Sequence, residues 1–181
     1  MLEKNYDIFI DLILKYNKVH NITGAKSRDI VMENIEDSLY PIKFLSTDDI
    51  KTAIDIGTGA GFPGLILAME LPHIEFTLFE PIAKKSSFLH LVKTTLGLKN
   101  VAVCTKRVED AEAFDADLIT SRAVTNTDML IDLCKNYITP KTMLLFYKGE
   151  RVVEEISNLK NYKIYKNKRR NYLLIKDIKP C

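Results

Sequence analysis

Apolar residues recur every three or four positions through most of the first 45 residues. One run comprises Leu2, Tyr6, Phe9, Ile10, Ile13 and Leu14, and a second comprises Ile30, Val31, Ile35, Leu39 and Ile42. This spacing is typical of an amphipathic helix whose apolar side faces a core. The pattern therefore predicts two N-terminal helices, separated by a turn at Thr23-Gly24, which we expect to cap the domain that follows.

From residue 52 onward, short β-rich runs alternate with helical runs. The predicted strands are 52–56, 75–79, 100–104, 116–120 and 141–147, and the predicted helices are 63–70, 83–96, 126–137 and 150–159. Parallel strands need a crossover between them, so this alternation predicts a parallel sheet with helices on both faces. Gly97 lies where the second of these helices is expected to end.

Two more strand-like runs, 162–167 and 171–176, are separated by only Lys168-Arg169-Arg170. This gap is too short for a crossover helix, so an antiparallel hairpin is predicted. The fold class is therefore α/β, with a mostly parallel sheet of seven strands. We expect one domain over 1–181, with a helical cap at 1–49 and a core at 50–181 that includes a basic hairpin at 160–181.

The first predicted strand runs into a glycine-rich turn, DIGTGAGFPG, at 55–64. Four of the seven glycines, Gly57, Gly59, Gly61 and Gly64, lie in this turn. Glycine allows a sharp turn and a close approach of the backbone to a ligand. A turn that only packs a strand on a helix needs one or two glycines, so four favour a cofactor-binding loop at the carboxyl edge of the sheet.

The cofactor could be a dinucleotide, because Gly59 to Gly64 matches G-x-G-x-x-G and Glu80 has the spacing of a ribose-binding acid. Two features favour S-adenosylmethionine instead. Asp55 precedes the first glycine, where a carboxylate can hold the ammonium of the methionine moiety, and no second domain is present to carry a hydride acceptor. For Glu80 the alternative to ribose binding is a helix N-cap, a position at which glutamate is not preferred.

Val108 and Glu109 follow the third strand, where an acid or a backbone amide can reach an adenine amino group. The structural alternative for Glu109 is a solvated helix start, since acids stabilise the first turn of a helix. This segment therefore also favours S-adenosylmethionine, with the role of Glu109 left open.

The formal net charge of +2 hides an uneven distribution. Residues 1–159 hold 18 basic and 23 acidic side chains, whereas 160–181 hold eight basic and one acidic. The basic segment suits the phosphates of RNA.

Three distant cysteines predict reduced thiols rather than disulfides or a zinc site, and the three histidines show no metal-ligand spacing. With neither a signal peptide nor a membrane span in the sequence, we expect a cytoplasmic protein without a metal.

Several segments together resemble one known family. They are YNKVHNIT (16–23), IEDS (35–38), DIGTGAGFPG (55–64), Lys84-Lys85 with Phe88-Leu89, RVED (107–110), TSRAV (120–124) and YKG (147–149). In order and over nearly the whole chain, they are similar to the glucose-inhibited division protein B family of small-subunit ribosomal RNA guanine-N7 methyltransferases. One departure is Asn34, which stands where relatives often carry a histidine.

The resemblance implies a Rossmann-like class I methyltransferase fold, S-adenosylmethionine as methyl donor, and a guanine N7 of 16S ribosomal RNA as acceptor. By the family pattern, Gly57, Phe62, Val108, Glu109 and Arg122 contact the cofactor. Asp55 and Glu80 occupy the corresponding positions of the methyltransferase class. We expect a monomer whose substrate is 16S RNA or the small ribosomal subunit.

Guanine N7 carries a lone pair and no proton, so its methylation needs no general base. In agreement, no Asp/Asn-Pro-Pro-Tyr motif for exocyclic amines and no cysteine at 117–123 for C5 chemistry are present. Arg122 and Lys148 are candidates for positioning the substrate. The alternatives are an ion pair of Arg122 with Asp117 or Asp128, and a solvated Lys148.

RNA contacts are expected from basic residues in two regions of the chain. The candidates are Lys84, Lys85, Lys148, Lys168, Arg169 and Arg170. Tyr162, Tyr165 and Tyr172 could stack on bases, but we favour the sheet core for them. Three rival functions stay open: a methyltransferase with a non-RNA acceptor, a non-catalytic RNA-binding assembly factor, and a small nicotinamide-binding domain.

Overall fold

The computed structural model describes residues 2–156, 159, 161–167 and 170–177. Its helices are α1 (Leu2–His20), α2 (Arg28–Leu39), α3 (Gly64–Glu70), α4 (Ala83–Leu96) and α5 (Thr127–Cys134). Its strands are β1 (Thr52–Ile56), β2 (Glu75–Phe79), β3 (Val101–Cys104), β4 (Leu118–Arg122), β5 (Met143–Lys148), β6 (Tyr162–Asn167) and β7 (Arg170–Ile175). Short 3-10 helices occupy Tyr40–Lys43, Val108–Asp110, Lys135–Tyr137 and Glu150–Ile156.

The seven strands form one sheet in the order β3-β2-β1-β4-β5-β7-β6. The first five are parallel, and β7 runs antiparallel between β5 and β6. The strand order reverses between β1 and β4, which is the place where open α/β sheets bind their ligands, beyond the carboxyl ends of the strands. The predicted fold class is therefore confirmed, and the glycine-rich turn lies at this reversal.

The predicted elements agree with the structure to within about two residues for every strand. Gly97 ends α4 in the left-handed conformation, as expected. The predicted helix at 150–159 is instead a 3-10 helix at Glu150–Ile156, and positions 157, 158 and 160 lie outside the described residues. The predicted helix at 126–137 also ends early, because its last turn, Lys135–Tyr137, tightens into a 3-10 helix.

The core consists of two clusters, because successive residues of a strand point to opposite faces of the sheet. The N-terminal helices pack in the same cluster as α3 and α4. The Phe9 ring meets the Phe62 ring edge-on at 5.5 Å and the Phe88 ring at 6.1 Å. The helical cap thus reaches the glycine-rich turn itself, while the division at residue 49 stays a prediction.

The three hairpin tyrosines differ in their surroundings. Tyr172 is fully buried, which confirms the expected core position, and Tyr165 stacks on Phe44 with 3.7 Å between ring centroids. Tyr162 is 40% exposed, so the core prediction is wrong there. Tyr162 begins β6, the edge strand of the sheet, which is flanked within the sheet by β7 alone.

Within the described part of the chain, no helix has the length and apolarity needed to cross a bilayer.

Candidate active site

The glycine-rich turn is fixed to the end of β2 by backbone hydrogen bonds. The N–H groups of Gly57 and Thr58 both donate to the carbonyl of Phe79, at 2.9 and 3.2 Å. Gly57 has φ of +66°, and a Cβ added there would lie 2.6 Å from a methyl of Val124. Only glycine tolerates both this positive φ and this close approach to Val124. The backbone of Gly57, with no side chain, therefore borders the space beside the turn.

Asp55 lies beneath this turn rather than at its surface. Its side chain is fully buried, its Oδ2 accepts the N–H of Gly64 at 2.9 Å, and its Oδ1 accepts the hydroxyl of Thr120 at 2.7 Å. A Cβ at position 64 would lie 2.5 Å from the Asp55 Cβ. Asp55 therefore joins β1, the start of α3 and β4, and its contact with a methionine ammonium stays a prediction.

Burial raises the pKa of Asp55 to about 6, against the lowering effect of the hydrogen bonds from Thr120 and Gly64. A carboxylate without water must be stabilised by protein donors. Gly64, at the end of the glycine-rich turn, supplies one of these two donors, and Thr120 of β4 supplies the other. The turn and the carboxylate thus stabilise each other.

Glu80, at the end of β2, is also buried, with 2% of its surface exposed. Its Oε2 accepts the N–H of Gly59 at 2.9 Å, and its Oε1 accepts the N–H of Ile82 at 2.9 Å, next to the start of α4. The carboxylate therefore holds both the glycine-rich turn and the entrance to α4. Its predicted contact with a ribose stays a prediction.

A cleft of about 100 Å³ opens beside the turn, and it brings together residues that the sequence places far apart. Gly57, Val108 and Glu109, all predicted cofactor contacts, line it together with Pro81 and Val124. The Val108 carbonyl accepts the hydroxyl of Tyr137 at 3.1 Å, which fixes the 3-10 turn of Val108–Asp110. Apolar walls with a few polar groups at the edge suit a flat aromatic ring.

Arg122 ends β4 and points toward the N-terminal helices. Its guanidinium donates to Asn34 Oδ1 at 3.0 Å and to Asp37 Oδ2 at 3.1 Å, and it lies 4.8 Å from the centroid of the Phe62 ring. The alternative of an ion pair with Asp117 or Asp128 is therefore wrong, since the partner is Asp37 of α2. Burial lowers the pKa of Arg122 and Asp37 opposes this, so the side chain stays charged.

Asp37 is the functional candidate that sequence reasoning missed. Besides Arg122, it accepts Arg170 Nε at 3.2 Å and the hydroxyl of Tyr172 at 2.9 Å, both through Oδ1. Its segment, 35–38, contributes to the family resemblance, but nothing in the local pattern indicates partners 85 and 133 residues away. Asn34, noted only as a departure, shares the Arg122 contact.

Lys148 is 6% exposed, so the alternative of a solvated lysine is wrong. Its Nζ donates to the Thr125 carbonyl at 3.0 Å and to Glu155 Oε2 at 2.8 Å. The ammonium therefore holds the segment after β4 to the 3-10 helix at Glu150–Ile156. A role of Lys148 in positioning the substrate stays a prediction.

The other predicted RNA contacts are placed as follows. Lys84 is exposed and donates to the His20 carbonyl at 2.9 Å, Lys85 is half-buried, and Arg170 pairs with Asp37. Lys168 and Arg169 lie outside the described residues. The structure thus gives Arg170 an internal partner that the sequence did not predict, and the RNA contacts stay predictions.

The chain matches the GidB family model, described as rRNA small subunit methyltransferase G, over residues 2–177. It is 47% identical over 174 residues to ribosomal RNA small subunit methyltransferase G of Aliarcobacter butzleri, which covers 95% of this chain and 89% of that protein. It is 49% identical over 173 residues to the protein of the same name from Wolinella succinogenes, with 96% and 88% covered.

Among solved structures, the fold is similar to a SAM-dependent O-methyltransferase from Thermotoga maritima. The TM-score is 0.67 at 13% identity, covering 94% of this chain and 72% of that chain. A putative O-methyltransferase from Klebsiella pneumoniae gives 0.65 at 14% identity, covering 94% and 90%. At this identity the likeness shows the fold alone, and it agrees with the sheet order described above.

Replacing Asp55 with Asn is expected to change how stability depends on pH. Because the folded pKa of about 6 exceeds the ordinary 3.8, the folded state binds the proton more tightly. The stability gained from protonated Asp55 is complete below pH 4 and lost as pH rises through 6. The Asn variant should therefore gain up to about 3 kcal/mol relative to wild type between pH 4 and pH 7, measured by urea unfolding.

Asp49→Asn serves as the control, because Asp49 is exposed and close in sequence to β1. Its stability difference from wild type should stay constant over the same pH range. A constant difference for Asp55→Asn as well would contradict the described environment of Asp55.

Proposed function

Because the chain belongs to the rRNA small subunit methyltransferase G family, we propose that it transfers a methyl group from S-adenosylmethionine to N7 of a guanine in 16S ribosomal RNA. One observation carries the proposal: the cleft beside the glycine-rich turn gathers Gly57, Val108 and Glu109 at the carboxyl edge of the sheet. In this proposal a single copy of the chain acts in the cytoplasm, on the RNA or on the small subunit.

The residues present fit this cofactor in chemical type. In our assignment, Gly57, Val108 and Glu109 hold the adenine in the apolar cleft, and the Glu80 carboxylate accepts the ribose hydroxyls. Gly59 and Gly61 supply backbone next to the ligand, and a Cβ added at Gly59 would meet nothing closer than 3.9 Å, so the space in front of the turn is open. Asp55, Phe62 and Arg122 form the methionine end, with Asp55 supporting it from beneath.

When bound, S-adenosylmethionine supplies an electrophilic methyl group on a sulfonium, and guanine N7 accepts it with a lone pair and no proton to remove. The protein therefore needs no base, and its task is to hold the two reactants in line. Alignment of this kind contributes up to about 7–11 kcal/mol in well-oriented systems. Rigid placement of Arg122 by Asn34 and Asp37 serves this task.

The charge of Arg122 also matters for the product, because methylation at N7 leaves the purine cationic. An unpaired cation beside the ring would oppose the reaction, whereas a carboxylate would favour it. Asp37 pairs with Arg122 at 3.1 Å and with Arg170 at 3.2 Å, so its single negative charge offsets part of the positive charge of the two guanidiniums. The ion pair thus weakens the repulsion between Arg122 and the cation that forms.

For the RNA itself, we assign phosphate contacts to basic side chains on two parts of the surface. Lys163 and Lys166 are exposed on β6, and Lys84 and Lys85 lie near the start of α4. Lys168 and Arg169 join β6 to β7 in sequence and belong to the same proposed contact. Such contacts supply affinity that falls steeply with salt.

A labelled-methyl assay tests the proposed reaction. Small ribosomal subunits, and RNA extracted from them, are prepared from cells lacking this enzyme and incubated with labelled S-adenosylmethionine. We expect label in 7-methylguanosine after digestion to nucleosides. Label in another nucleoside would refute the N7 assignment, and no label in either substrate would favour a non-catalytic RNA-binding assembly factor.

Glu80→Gln is expected to weaken binding of S-adenosylhomocysteine about tenfold or more, since a hydrogen bond to a charged group contributes about 1.5–3 kcal/mol. Isothermal titration calorimetry measures this affinity. Glu75→Gln is the matched control, because Glu75 is exposed at the opposite end of the same strand. Equal affinities of both variants and wild type would contradict the ribose contact.

A further inference from the structure

An open cavity of about 550 Å³ lies between α2 and the β6–β7 hairpin. Its walls include Ile30, Glu33, Asn34 and Asp37 from α2, and Asn167 and Arg170 from the hairpin. It is separate from the cleft beside Gly57, and the two share no lining residue. None of the cofactor contacts assigned above lines it.

The cavity lies at the same edge of the sheet as the glycine-rich turn. Arg170 begins β7, which is antiparallel to β5, so it stands beyond the carboxyl end of the parallel strands. Arg122, at the carboxyl end of β4, contacts two lining residues, Asn34 and Asp37, and also lies over Phe62 of the turn. One arginine side chain therefore spans the distance from the cavity wall to the turn.

We propose that this cavity binds the target guanine nucleotide of the RNA, with its N7 facing the turn and Arg122. The inference rests on the proposed function and adds the place at which the acceptor binds. A cavity of this volume has room for a nucleotide, since small-molecule sites span about 300–1,000 Å³.

The walls carry the chemical groups that a guanine nucleotide requires. Glu33 and Glu36 are exposed carboxylates on α2 that can accept the N–H donors of the guanine ring, and Ile30, 43% exposed, offers an apolar surface to the base. Arg170 can contact a phosphate. The cavity wall holds three carboxylates and one guanidinium, so its net negative charge also favours the cationic product. These groups belong to Glu33, Glu36, Asp37 and Arg170.

Hydrogen bonds to the sheet fix the α2 wall of the cavity in place. Asp37 accepts hydrogen bonds from Arg122, Arg170 and Tyr172, and the hydroxyl of Tyr147 donates to the Ser38 carbonyl at 2.6 Å. These contacts tie α2 to β4, β5 and β7. A site fixed in this way holds a reactant without reorganisation, which is what an alignment mechanism needs.

Filling the cavity tests the proposal. Ile30→Trp adds a large side chain at a partly exposed position without altering the Ser27 cap, which bonds to the backbone of residue 30. We expect kcat/KM for the RNA to fall about tenfold or more, because small displacements of a reactant can cost that much. The affinity for S-adenosylhomocysteine should stay within about twofold of wild type, since Ile30 lies outside the cofactor cleft.

Val19→Trp is the matched control, because Val19 is 78% exposed on α1 and does not line the cavity. It should leave both quantities unchanged. Glu33→Gln, a substitution of an exposed side chain, should also lower kcat/KM for RNA at unchanged cofactor affinity, and it serves if the tryptophan variant fails to fold.

Unchanged kcat/KM in a folded Ile30→Trp protein, or in Glu33→Gln, would overturn the proposal. A parallel loss of S-adenosylhomocysteine affinity would do so too, by assigning the cavity to the cofactor. Failure of the proposed function is distinguishable, because wild type itself would then transfer no methyl group to RNA.

Discussion

The ion pair between Asp37 and Arg122 is the contact on which the candidate site depends. It joins α2 to the end of β4, and the same carboxylate holds Arg170 and Tyr172 of β7. Partly buried charges of this kind are costly unless paired, so each of these side chains fixes the others. Helix α2 is consequently part of the proposed active site, with Asn34 as a second acceptor for the same guanidinium.

Much of the fold could be predicted because its signals are local. Periodicity placed α4 and the hairpin strands closely, and crossover length distinguished the parallel part of the sheet from the antiparallel part. The predicted helix at 150–159 was wrong in type, because Glu150–Ile156 is a 3-10 helix. The sequence predicts helical backbone there but does not distinguish the 3-10 from the α form, and Glu155 of this segment bonds to Lys148.

The candidate site was predictable only in part. The sequence could place the glycine-rich turn, Glu80 and Val108 at one edge of the sheet, because the loops that follow parallel strands meet there, while their contacts with a cofactor stay predictions. The burial of individual side chains could not be predicted from the sequence. Asp55 is the main example, because its buried oxygens accept hydrogen bonds from Gly64 and Thr120 beneath the turn. The role of Asp37 was equally out of reach, because its partners come from strands formed much later in the chain.

We infer that Asp37 positions Arg122 for the cofactor, and a double-mutant cycle on S-adenosylhomocysteine affinity is the test of this positioning role. Asp37→Asn should weaken binding about tenfold, or about 1.4 kcal/mol, by releasing the guanidinium. Arg122→Gln should weaken binding at least as much, and the double variant should bind no more weakly than Arg122→Gln alone. Unchanged affinity in Asp37→Asn, or effects of the two substitutions that simply add, would contradict the positioning of Arg122 by Asp37.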